Sequence, residues 1–185
     1  MPYEVQPITS DDWPRIGGQV TAIEVACFEP ARRDTPEQLA AMLAQPGAIA
    51  SIAINDGKAL GYCLGIPLEF FHALPWVAED PEFGRRTTMY AGGLAVSPSH
   101  RSQGIGLALK ADQVDRARAA GYRYITGRYR VGLADGMRRI SAHFGAQQAR
   151  FLRSVYTDDL DPKDGVYYRI DLSTYRPRGI IGRGK

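Results

Sequence analysis

Apolar and polar residues change their spacing several times along the chain, and each change marks an element. Tyr3 to Ile8 alternates apolar with polar and predicts a first strand. Ser10, Asp11 and Asp12 follow as an N-cap cluster, which predicts a helix running toward Ala26. Thr35-Pro36-Glu37 is a second start signal, with Leu39, Met42 and Leu43 as the apolar face and Pro46-Gly47 as the stop. Ala48–Ile54 and Ala59–Ile66 read as strands joined by the hairpin signal Asn55-Asp56-Gly57.

Residues 67–87 break this rhythm with Pro67, Pro75 and Pro81 among aromatic and acidic residues, and predict an irregular segment. Thr88–Val96 is strand-like again, Gly104–Ala120 helical and Tyr122–Arg128 a strand. Leu107, Ala111, Val114 and Ala117 draw one apolar stripe along the helix, and Gly121 stands where a C-terminal glycine belongs. A helix over Leu133–Phe144 and strands over Ala149–Tyr156 and Val166–Leu172 complete the pattern. The order β-α-α-β-β-β-α-β-α-β-β predicts an α/β fold of mixed, α+β character.

No repeat or long linker divides the 185 residues, so one domain is expected. The net charge of +3 is concentrated at the end of the chain, where Arg176, Arg178, Arg183 and Lys185 meet no acid. Taking those four cations away leaves −1 on residues 1–175, which gives the body no broad footprint for nucleic acid. We therefore expect a domain over 1–175 and a basic, disordered tail over 176–185. No apolar run reaches the roughly 18 residues of a membrane span, and Met1-Pro2-Tyr3-Glu4 does not open a secretory signal. Cys27 and Cys63 form no disulfide framework, and a cytoplasmic setting is expected.

The segment richest in chemistry is Leu94-Ala95-Val96-Ser97-Pro98-Ser99-His100-Arg101-Ser102-Gln103-Gly104-Ile105-Gly106. A strand ends, a turn follows, and Arg-x-x-Gly-x-Gly opens a helix. The first turn of a helix offers unpaired N–H groups and a positive dipole end, so this is an anion site. Gly104 and Gly106 keep side chains off that backbone, and Arg101 adds a charge-assisted contact. The dinucleotide fingerprint fails because position 109 is Leu, and a Walker loop fails because Lys110 precedes Ala111.

The run Leu94-Ala95-Val96-x-Pro98-x-x-Arg101-x-x-Gly104-x-Gly106 resembles the acetyl-CoA motif of the GNAT N-acetyltransferases, and the element order resembles that fold from Tyr3 to about Leu172. The resemblance implies a central mixed, mostly antiparallel sheet, splayed at its fourth strand and flanked by about four helices. It implies acetyl-CoA as co-substrate and no metal. Main-chain groups of the Leu94-Ala95-Val96 run, chiefly Leu94 and Val96, would bond pantetheine. Arg101, Ser102, Gln103, Gly104, Ile105 and Gly106 would hold the pyrophosphate.

Catalytic residues depart from the family pattern. Gly92-Gly93 stand where relatives often carry a basic Glu. Aligning Phe144-Gly145-Ala146 puts Ser141 where many carry a proton-donating Tyr, and Ala134 where many carry an upstream Asn. Ser141 is thus a candidate acid or a helix-surface serine, and Glu69 a candidate base or a solvated strand-end charge. His72 and Tyr90 are weaker candidates. Arg128 and Arg130 share a strand face and either clamp an acceptor carboxylate or are solvated. Segment 67–87, with Phe70, Phe71 and Trp76, is expected to cover the acceptor, or to contact a second copy in a homodimer.

The leading expectation is transfer of an acetyl group from acetyl-CoA to a primary amine, a small or amino-acid-like molecule, resting on positioning more than on one dedicated base. The alternatives are a non-catalytic acyl-CoA-binding domain and an RNA- or protein-binding adaptor acting through the basic tail.

Overall fold

The computed structural model describes residues 2–176; most of the expected tail lies outside them. Seven strands form one sheet: β1 (Glu4–Ile8), β2 (Ile49–Asn55), β3 (Lys58–Pro67), β4 (Thr88–Val96), β5 (Tyr124–Arg130), β6 (Gln147–Leu152) and β7 (Gly165–Asp171). Their order is β1-β2-β3-β4-β5-β7-β6, and β4–β5 is the one parallel pairing among the described residues. Among the described residues five α-helices accompany them: α1 (Trp13–Cys27), α2 (Pro36–Leu43), α3 (Pro75–Ala78), α4 (Ile105–Ala119) and α5 (Asp135–His143). The additional helix, α3, is a single turn inside segment 67–87, behind a 3₁₀ turn over Leu68–Phe71.

Local chemistry explains most boundaries. Thr35 and Gln38 form a reciprocal capping box, with Thr35 Oγ1 accepting from Gln38 N and Gln38 Oε1 accepting from Thr35 N. Asp12, the last of the Ser10-Asp11-Asp12 cluster, is the N-cap of α1, and the cluster itself forms a 3₁₀ turn with its own cap. Thr9 caps that 3₁₀ turn, its N–H donating to the Asp12 carboxylate (2.9 Å). In the β2–β3 hairpin both Asp56 (φ 47°) and Gly57 (φ 75°) take the left-handed conformation that a two-residue turn requires. Helix α4 ends with Gly121 N bonding Arg118 O and Tyr122 N bonding Ala117 O. Tyr122 thereby belongs to the helix stop, and β5 begins two residues later than the pattern predicts.

Strand β3 sends side chains to two separate cores, and the register shift that leaves Leu60 without a partner on β2 switches its alternation between Ala59 and Tyr62. Tyr62, Leu64 and Ile66 pack with Ile16, Val20, Leu39 and Met42 from α1 and α2. Leu60 and Cys63 pack on the other face with Ile105 and Leu109 of α4. Helices on both faces hold β4 and β5 in the middle, where the site forms. Strand β6 ends at Leu152 rather than at Tyr156, because residues 153–164 turn back as a loop.

Candidate active site

Strands β4 and β5 pair only over Thr88–Tyr124, Met89–Ile125 and Tyr90–Thr126. Beyond Tyr90 they separate, as expected for a sheet splayed at its fourth strand. On the β3 side the register shifts at Leu64/Gly65, with Gly93 opposite Leu64 and Ala91 opposite Gly65. Gly92 is therefore the extra residue of a β-bulge, which bends β4 away from its parallel neighbour. Ser97 N bonds Leu60 O (2.8 Å), so in the alternating antiparallel ladder the main chains of Ala95 and Ser97 face β3. Those of Leu94 and Val96 face the opening. Val96 O accepts from Cys27 Sγ and from Arg101 Nε, each at 3.2 Å. Val96 N–H and both main-chain groups of Leu94 are left turned toward the gap.

The turn after β4 is built for an anion. Ser102 (φ 62°) and Gly104 (φ 82°) are left-handed, and the loop over 101–104 is exposed. Among the described residues, the N–H groups of Ser102 through Leu107 have no hydrogen-bond partner; the first α4 bond runs from Ala108 N to Gly104 O. Arg101 is fixed through Nε on Val96 O, which leaves its two terminal nitrogens available. Gly106 serves packing, since a Cβ there would lie 3.1 Å from Ile140 Cδ1. The free N–H row, the positive helix end and the open strand edge fit a pyrophosphate joined to an extended arm.

The gap widens into a cleft of about 500 Å³. One wall is acidic. Glu24, on α1, is 2% exposed and reaches the cleft with Oε1 accepting from Tyr62 Oη and Oε2 accepting from Asp34 N (3.3 Å). Burial raises the Glu24 carboxyl pKa, against the lowering effect of its Tyr62 and Asp34 hydrogen bonds. Asp34 also lines the cleft and is raised by burial, with Arg128 pulling it down. The Tyr62 ring fills the space beside Gly93, where a Cβ would meet it at 3.1 Å. A Glu at that place would displace Tyr62, and Glu24 supplies the carboxylate from a different element.

The facing wall comes from β5 and the loop after β6. Arg128 and Arg130 both line the cleft, together with Tyr156 and Asp158. Arg130 Nη2 donates to Asp158 Oδ1 (2.7 Å), which holds that carboxyl below its usual range. The Arg128 guanidinium sits over the rings of Trp76 (4.8 Å) and Tyr156 (4.9 Å). Phe71 and Leu74 bring segment 67–87 to the cleft, and Phe71 packs on Tyr90 with ring centroids 4.5 Å apart.

The remaining sequence candidates fall elsewhere. Ser141 is buried on α5 and faces Tyr168, whose hydroxyl lies against Gly127; it does not line the cleft. Glu69 spends Oε1 on the N–H groups of Gly84 (3.1 Å) and Arg86 (2.9 Å), so it ties down the end of segment 67–87. His72 is exposed away from the cleft, whereas Tyr90 lines it with its hydroxyl pKa pushed up to about 12 by burial. Glu24, Asp34 and Tyr156 escaped the sequence reading. For Glu24 a signal existed, because an acid stands beside Ile16, Val20 and Ile23 in the buried stripe of α1.

Among the described residues, no group of three or more His, Cys, Asp or Glu side chains forms a metal site, and no helix is long and apolar enough to cross a membrane. A search of curated proteins finds no match. Solved structures share the fold. The ribosomal-protein-S18-alanine N-acetyltransferase of Escherichia coli superposes with TM-score 0.70 at 14% identity, covering 97% of this chain and 99% of its own. The yncA protein of Salmonella typhimurium, solved with its cofactor acetyl-CoA, gives 0.69 at 15%, covering 96% and 98%. The loading GNATL domain of CurA from Lyngbya majuscula gives 0.73 at 12%, covering 94% and 99%. The family model for the acetyltransferase (GNAT) family matches residues 17–129, which span the bulged β4, the anion turn and most of β5. The chain belongs to the acetyltransferase (GNAT) family.

Proposed function

We propose that this protein transfers an acetyl group from acetyl-CoA directly to the primary amine of a small, amino-acid-like acceptor. The observation that carries the reading is the continuity of the site. A row of unpartnered N–H groups at 102–107 leads along the open edge of β4 into a cleft with a buried carboxylate on one side and guanidinium groups on the other. Ser102 to Gly106 and Arg101 would hold the pyrophosphate, and Leu94 with Val96 N–H would pair with the pantetheine arm. An N–H of the Leu94–Val96 segment would polarise the acyl carbonyl.

Glu24 is the base in this account. The amine attacks as its free form, the new C–N bond forms, the C–S bond breaks, and the ammonium proton passes to the Glu24 carboxylate. A carboxylate with a raised pKa is a stronger base than an ordinary one. The leaving thiolate has an ordinary pKa near 8.5, so it departs at neutral pH without a dedicated acid. Ser141, buried against Tyr168, and Glu69, accepting from the N–H groups of Gly84 and Arg86, are proposed as supports. Ser141→Ala and Glu69→Gln should each cost less than about 10²-fold in turnover.

Thiol release from acetyl-CoA in the presence of a panel of primary amines tests the reading. Amine-dependent release is expected. CoA binding with no release for any amine would instead favour an acyl-CoA-binding domain without catalysis.

A further inference from the structure

Arg130 is 1% exposed, yet only Nη2 is satisfied, by Asp158. Its Nε and Nη1 are buried without a partner, and the residue lines the cleft. Leaving a buried charged donor unmade is costly, so such an orphan marks the place of a missing acceptor atom. Arg128, two residues along the same strand face, makes no hydrogen bond or ion pair among the described residues. Trp76 and Tyr156 hold its flat guanidinium by the face, which leaves the N–H edges for an anion in the plane.

The charge count selects the kind of anion. The Tyr156 ring also carries Arg130 at 4.2 Å and Arg32 at 5.7 Å, so three guanidiniums surround one ring. The carboxylates beside them are Asp158, 3.8 Å from Arg32, and Asp34, which interacts with Arg128. Three cations against two acids leave a single positive charge, which suits a monoanion. Glu24 lines the same cleft from α1, with Arg33 acting on it only through space and no guanidinium hydrogen-bonded to it. A molecule spanning the cleft therefore meets a cation at one end and a carboxylate at the other.

We infer that the acceptor is a zwitterionic amino acid, its carboxylate held by Arg130 and Arg128 and its amine turned toward Glu24. This rests on the acetyl-transfer reading but fails separately from it. The test is thiol release from acetyl-CoA by the whole protein, with L-amino acids and their primary carboxamides as matched acceptors and O-phosphoethanolamine as a dianionic control. The carboxamide amine is the less basic and is more abundant as free base, so intrinsic reactivity favours the amides. The acids are nonetheless expected to show a kcat/KM at least about 30-fold higher, as two charge-assisted hydrogen bonds imply. Arg128→Met should shrink that ratio by about tenfold or more.

Equal use of acids and amides, a ratio unchanged in Arg128→Met, or preference for the phosphate would overturn the inference while leaving acetyl transfer intact. If no amine of either series releases thiol, acetyl transfer fails. Thermal stabilisation of the CoA-loaded protein then decides the anion site, with amino acids stabilising it and carboxamides not. Stabilisation by both alike, or by neither, refutes the site.

Discussion

Glu24 concentrates two opposing demands in one side chain. Its burial raises the carboxyl pKa, so between the ordinary carboxylate value and the raised one the folded chain holds a proton that the unfolded chain releases. The stability that this proton confers is present at low pH and is lost as pH rises through the folded value. Glu24→Gln keeps the shape without that loss. The variant should gain stability relative to the parent as pH rises above the ordinary glutamate value of about 4.3, seen as a Tm difference that widens and then levels off once the parent's Glu24 is ionised. In the same variant kcat should fall by about 10²–10⁴-fold, the range for loss of a general base. A variant that keeps full turnover across pH removes Glu24 from the mechanism. The contrast with Ser141 shows what the sequence could reveal at this scale. Ser141 was found by its offset from Phe144-Gly145, which locates a position on a helix but not the face it presents. Glu24 could be recognised only by asking why an acid sits on a buried stripe.

Helices and strands were easier to read, because their signals are local. Thr88–Val96 falls on β4 without a shift, and Thr35-Pro36 and Gly121 mark a helix start and stop that hydrogen bonding explains. The loop over 153–164 was not legible. Phe151 to Tyr156 continues a β-like composition, yet the chain turns at Leu152 and carries Tyr156 and Asp158 to the cleft, a tertiary outcome set by Arg130 and Arg128. Helix α4 holds a second surprise. Lys110 is fully buried, with Nζ donating to Gln113 Oε1 at 2.7 Å, and burial lowers its pKa to about 8. For a lysine depressed in this way, stability is greatest above the ordinary value and declines as pH falls through about 8. Lys110→Met should therefore raise Tm relative to the parent most at neutral pH, and the difference should narrow toward about pH 10. A difference that stays constant with pH would show that Lys110 remains charged inside the fold.

Across the whole molecule, the proposed function rests on two strands that part company after three paired positions. The bulge at Gly92, the Tyr62 ring beside Gly93 and the paired arginines of β5 all act on that one opening. The anion turn follows β4 directly and Glu24 lines the cleft beside that strand, an arrangement in which a long co-substrate and a short acceptor would meet in the proposed reaction. Gly104 tests this arrangement most directly. Its backbone is left-handed and exposed, so Gly104→Ala probes backbone strain alone, while Gly104→Glu adds a carboxylate where the pyrophosphate should lie. The decisive measurement follows free thiol and acetylated amine together, for the parent and both variants, with folding checked by circular dichroism. The account predicts equal amounts of the two products from the parent, reduced turnover in Gly104→Ala, and neither product nor CoA binding in a folded Gly104→Glu. Thiol appearing without acetylated amine, or parent-like turnover in Gly104→Glu, would contradict it.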